Sequence, residues 1–163
     1  MKAALMRSPG DPSVLQIERV PVPSCEKANQ VLVKLKAAGV NPIDTKLRRR
    51  GSFYPAEMPC ILGCDGAGVV VETGKGVTHF QVGDEVYFCA GGLGATSTGN
   101  YAEWAVVPEH QLAPKPQNLS FAMAAAAPLV LITAWEALYD RGYLQGEQTV
   151  LIMGGAGGVG HGA

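Results

Sequence analysis

The sequence predicts a mixed α/β chain: a small β-barrel or sandwich, then helices, then the opening strand and glycine turn of an open α/β sheet. Three observations predict it. Short apolar runs separated by Gly and Pro fill residues 1–112, the mark of a small all-β unit. Near residue 119 the style changes, and LSFAMAAAAPLVLITAWEALYDRG takes helical periodicity. Residues 149–160 then read TVLIMGGAGGVG, an apolar run leading into glycines.

In chain order, KAALM opens as a strand, SPGDPS makes a turn and VLQIERV is the second strand. PVPSCEKANQ is a Pro-bearing connector. Val31, Val33 and Leu35 alternate with Lys34 and Lys36, a strand with one wet face. Residues 44–50 form a short helix, with Asp44 as a cap. AGVVVETG, DEVYFC and YAEWAVV complete a set of six strands. Pro128 cannot continue a helix interior, so two helices are expected, at 120–127 and 129–141. Ser120 is the N-cap of the first and Gly142 stops the second. Trp135 and Leu138 share an apolar face and are expected in the core. TVLIM is short, apolar and without alternation, the style of a buried strand.

Gly155, Gly157 and Gly160 fit G-x-G-x-x-G after a strand, the turn that lets backbone approach a dinucleotide pyrophosphate. Gly155 serves the tight turn, Gly157 the close approach and Gly160 the helix-on-strand packing; Gly158 and Val159 lie in the same loop. The motif stands three residues from the last one, Ala163. The phosphate-binding helix and the ribose-holding acid would follow it, so the reading expects the first half of a longer protein. Residues 1–120 are expected as the barrel domain, and 121–163 as connecting helices and the start of an incomplete dinucleotide-binding domain.

Composition limits the function. The 163 residues are 47% hydrophobic and 17% charged, with a net charge of −1, which speaks against disorder and nucleic-acid binding. Lys46, Arg48, Arg49 and Arg50 read as a solvated helix face. Four cysteines match no disulfide framework, MKAALMRSPGD is no secretory signal, and the apolar stretch near residue 129 is too short to span a bilayer. A cytoplasmic protein with reduced thiols, away from membranes, is expected.

GVNPIDTKLR at 39–48, LGCDGAGVVVETGKGVTHFQVGDEVY at 62–87, and LITAWEAL with VLIMGGAGGVG at 131–160 together resemble the medium-chain dehydrogenase/reductase superfamily. The nearer resemblance is to its zinc-independent quinone oxidoreductase branch. It implies a chaperonin-10-like β-barrel catalytic domain followed by a Rossmann domain, with the active site in the cleft between them. It also implies NADPH as cofactor (NADH as the alternative), a quinone or enone as substrate, and a homodimer of the complete protein.

Residue by residue, the resemblance places Asn41 in the cleft near the nicotinamide, as a catalytic and cofactor-binding group. Its amide can donate and accept; an Asn-Pro turn residue is the plainer reading. Tyr54 falls near a family Tyr that contacts substrate. Lys46 stands where a second such Tyr is usual, and is expected to face water. Thr133 matches a cofactor contact, although a helical Thr can equally bond its own helix. His79 and His110 read as surface residues.

The zinc enzymes of the superfamily carry Cys at the position of Asn41, and His-Glu where this chain has Cys64-Asp65. An amide supplies no thiolate, so no metal is expected. The chemistry then suits an already activated electrophile. Two other readings stand beside this one: a free-standing barrel that binds a partner, and a zinc enzyme with unusual ligands such as Cys64 with Asp65.

Overall fold

The computed structural model describes residues 1–51, 58–93 and 98–163. Among the described residues, eight strands form two antiparallel sheets. β1 (Lys2–Met6) is flanked by β2 (Leu15–Arg19) and β4 (Cys60–Ile61). The larger sheet runs β7 (Trp104–Pro108), β3 (Gln30–Ala38), β5 (Asp65–Thr73), β6 (Glu85–Cys89), β8 (Leu112–Pro114). Residues 101–103 close the barrel by bonding to both sheets. Ala4 N–H donates to Tyr101 O at 2.7 Å and Leu35 N–H to Glu103 O at 2.9 Å.

All six expected strands of the barrel form. The predicted alternation holds along β3, where Val31 and Val33 are buried and Lys34 and Lys36 exposed. β3 can be so apolar because it has partners on both edges, β5 and β7. Val31, Val33, Val70, Val86, Phe88, Ala105 and Val107 make the main core. Met6, Leu47, Cys60 and Leu62 make a second, under helix α1 (Pro42–Arg50). Gly63 turns the chain after Leu62 with φ +96°, and a Cβ there would stand 2.6 Å from the Tyr101 ring, so neither backbone nor space admits a side chain.

Helix α2 (Phe121–Ala125) starts at Ser120, whose Oγ accepts from Met123 N–H at 3.2 Å. Ala124 and Ala125 pack on Ala67 of β5, which fastens α2 to the barrel. Lys115, its side chain nearly buried, reinforces this joint. Its Nζ donates to Leu119 O at 2.7 Å, pairs with Glu85 at 3.0 Å, and stands 5.3 Å from the Phe121 ring centre. Pro128 opens α3 (Pro128–Trp135) in its first turn, where no N–H is needed. The helical run continues to Gly142, but residues Glu136–Arg141 are wound as π-helix.

Two expectations fail in the C-terminal segment. Residues 149–153 form no strand, and Leu151 and Met153 are 87% and 89% exposed. A parallel strand needs a neighbour to take its backbone groups, and among the described residues none lies beside it. Trp135 is 61% exposed, its ring centre 4.5 Å from that of Tyr139 in a tilted pair, and Leu138 is half-buried. Ala134 is the residue of that turn which reaches the interior. No helix among the described residues is long and apolar enough to cross a membrane.

Candidate functional site

The residues with chemistry gather where the end of β3, the start of α1, the start of β5 and the start of α3 meet. Asn41 is the N-cap of α1, in extended conformation, with Pro42 next. It forms a capping box with Asp44, whose Oδ2 accepts from Asn41 N–H at 2.7 Å. Asp44 is thus a cap, as expected. The Asn41 side chain, 6% exposed, turns to β5 and donates through Nδ2 to Asp65 Oδ2 at 2.8 Å.

Asp65 is fully buried. Its other oxygen, Oδ1, accepts from Leu129 N–H at 3.1 Å, an N–H of the first turn of α3. Asp65 and Cys89 are direct partners in the β5–β6 ladder. Burial pushes the Asp65 carboxyl above its ordinary value, while hydrogen bonds from Asn41 and Leu129 oppose the shift. Interaction with the Cys89 thiol lowers Cys64 below the ordinary thiol value, while Cys64 and burial push Cys89 up. Beside them Asn100, also buried, donates through Nδ2 to Cys64 O at 2.8 Å and Ala90 O at 2.9 Å. The Tyr101 hydroxyl, close by, is pushed up by burial first and then by Asp44.

Among the described residues no group of three His, Cys, Asp or Glu side chains is arranged to hold a metal ion. The amide at position 41 is engaged with a carboxylate, and Cys64 with Cys89. This donor set is built for hydrogen bonding among its own members.

The remaining predicted residues lie on the C-terminal segment. Thr133 is exposed and its hydroxyl donates to Leu129 O at 2.7 Å, within its own helix. The glycine turn leads into a short helix, α4 (Gly158–Gly162), with Gly157 as N-cap. The left-handed glycine of the turn is Gly154, φ +78°, rather than Gly155. A Cβ on Gly160 would meet Gly154 O at 2.5 Å, so the turn closes on itself there. Gly158 faces Val130 and Gly162 faces Leu131, so α4 packs on helix α3 and not on a strand. Val159 is exposed. The bare turn leaves open space around Gly154 and fits the approach of a pyrophosphate. Tyr54 lies outside the described residues. Lys46, His79 and His110 are exposed, as expected.

The structure therefore joins Asn41, Asp65, Leu129 and Thr133 in one chain of hydrogen bonds. Asp65 is the member that sequence reasoning considered for a metal alone. Its partner Leu129 is 64 residues away, and no local pattern announces such a pair.

Comparison with known proteins gives the family and the fold. Residues 27–117 match the family described as "Alcohol dehydrogenase GroES-like domain". The chain is 44% identical to the 2-methylene-furan-3-one reductase of Solanum lycopersicum, over 98% of this chain and 42% of that protein. It is 41% identical to the chloroplastic NADPH-dependent alkenal/one oxidoreductase of Arabidopsis thaliana, again over 98% and 42%. The solved quinone oxidoreductase of Coxiella burnetii superposes with a TM-score of 0.86 at 38% identity, covering 99% of this chain and 51% of that one. The chain spans about half the length of the relatives it matches.

Proposed function

The chain belongs to the alcohol dehydrogenase GroES-like domain family, and we propose that it forms the N-terminal part of an NADPH-dependent oxidoreductase that reduces a quinone or an enone without zinc. The observation that carries this reading is Asn41. It stands at the junction of barrel and α3, its amide bonded to Asp65, and the sequence resemblance puts it where zinc enzymes of the superfamily would carry a thiolate. Relatives named as quinone, alkenal/one and furanone reductases support the substrate class, and one of those names specifies NADPH.

In this reading Gly154, Gly155, Gly157, Gly158, Val159 and Gly160 would hold the pyrophosphate, Thr133 and Asn41 would hold the nicotinamide end, and the bound cofactor would supply a hydride. The chain's own work is alignment: Asn41 offers an amide to the carboxamide or to the substrate carbonyl, and Tyr54 borders the substrate. Four free cysteines suit a reducing compartment, and we place the protein in the cytoplasm, as a homodimer when complete.

The test is NADPH-dependent reduction of a small quinone and of an α,β-unsaturated ketone. The protein as its cell makes it is expected to turn over both, at a rate unchanged by dialysis against a chelator; a chelator-sensitive rate, or none, refutes the reading. The 163-residue chain, spanning about half of its relatives, is expected to show no turnover.

A second reading, a binding or assembly module, draws on the exposed apolar surface of Leu131, Ile132, Trp135, Leu151 and Met153. Size-exclusion chromatography separates the two. A clean monomer that proteases trim beyond residue 142 speaks against assembly.

A further inference from the structure

We propose, resting on the reading above, that Asp65 is the positioning residue that sets which end of the Asn41 amide faces the cofactor, and that it couples this amide to helix α3. Asp65 touches no reacting atom in this scheme. It acts through Asn41.

A fully buried carboxylate is costly unless donors meet it, and Asp65 has one on each oxygen: Asn41 Nδ2–H at 2.8 Å and Leu129 N–H at 3.1 Å. An ionised carboxylate accepts and cannot donate. Asn41 must therefore turn its NH2 end to Asp65. Rotating the amide by half a turn would set oxygen against oxygen at Asp65.

The second oxygen of Asp65 does a different task. Leu129 N–H is one of the orphan donors of the first turn of α3. Asp65 satisfies it from another element and thereby fastens α3 to the barrel. One turn on, the Thr133 hydroxyl donates to Leu129 O. The two residues assigned to the nicotinamide, Asn41 and Thr133, are thus set relative to one another through a single carboxylate. The packing leaves no slack around it. A Cβ on Gly39 would stand 2.3 Å from Ala125 O and 2.9 Å from Asp65 Cβ.

The decisive variants are D65N and N41A/D65N in the protein as its cell makes it. D65N removes the acceptor-only partner and is expected to lower kcat about tenfold while KM for NADPH moves less than about threefold, as for a misplaced rather than missing contact. In the N41A background there is no amide left to orient, and adding D65N is expected to change kcat less than about twofold. D65N with unchanged kcat overturns the proposal, and so does a D65N loss that persists undiminished on N41A. Should D65N fail to fold, D65E replaces it, and an unchanged kcat in D65E overturns the proposal. The side-chain NH2 resonances of Asn41, identified by their loss in N41A, give a readout besides activity. They are expected to shift in D65N, and unshifted resonances overturn the proposal. If the unaltered protein reduces no quinone or enone, the oxidoreductase reading fails, and these resonances still decide the orientation.

Discussion

Two apolar runs of similar style meet opposite fates in this molecule. VLVKL at 31–35 becomes the middle of β3, and Val31 and Val33 lose all contact with water. TVLIM at 149–153 stays irregular, with Leu151 and Met153 almost wholly exposed. Composition does not separate them. What separates them is company: β3 is bonded along both edges, by β5 and β7, and nothing among the described residues flanks 149–153. An apolar run thus specifies a strand only together with the backbone that will take its hydrogen bonds.

Leu→Ala in the barrel core and in the exposed run 149–153 gives the sharpest test. Leu62→Ala empties a fully buried site against Met6, Leu47 and Cys60, and is expected to cost about 2–5 kcal/mol in denaturant unfolding. A loss under about 1 kcal/mol would mean that the second core is not close-packed.

The next effect lies at the junction and is read through pH. Burial raises the Asp65 carboxyl above its unfolded value, near 4. Between the unfolded value and the raised folded one, the folded chain holds more protons than the unfolded chain. Stability from this group therefore rises as pH falls through that window and is lost as pH rises through the folded value. Asp11, Glu18 and Glu109, held low by hydrogen bonds from Ser13, Arg7 and His79 respectively, give the opposite slope. They are common to both proteins when the Tm of the parent is compared with that of D65N. From pH 7 to pH 4 the difference is expected to move in favour of the parent. A constant difference would show that Asp65 titrates normally.

Smallest of all is Leu151→Ala, expected to change stability of this chain by less than about 0.5 kcal/mol. A larger loss would mean that 149–153 is covered in solution.

Much of the barrel was legible because its signals are local. Alternation marked β3, turns bounded β1, β2, β5, β6 and β7, and Ser120 and Pro128 marked helix starts. β4, with two residues, and β8, with three including Pro114, are too short for any period to register. At the site, the capping role of Asp44 was legible from its place at the head of a helix. The pairing of Asp65 with Asn41 and Leu129 was not. It depends on the barrel closing and on α3 docking, and a sequence shows neither as a pattern. Trp135 and Leu138 were read as core from their helical spacing, which identifies a face without saying whether anything covers it.

The way α2 and α3 sit on the barrel bears on any exchange of halves between relatives. A graft cut after residue 119 would strip Ala124 and Ala125 from Ala67, and would take the Leu129 N–H away from Asp65. The transplantable piece therefore extends through the first turn of α3, and a recipient must accept a helix stub along with its new barrel.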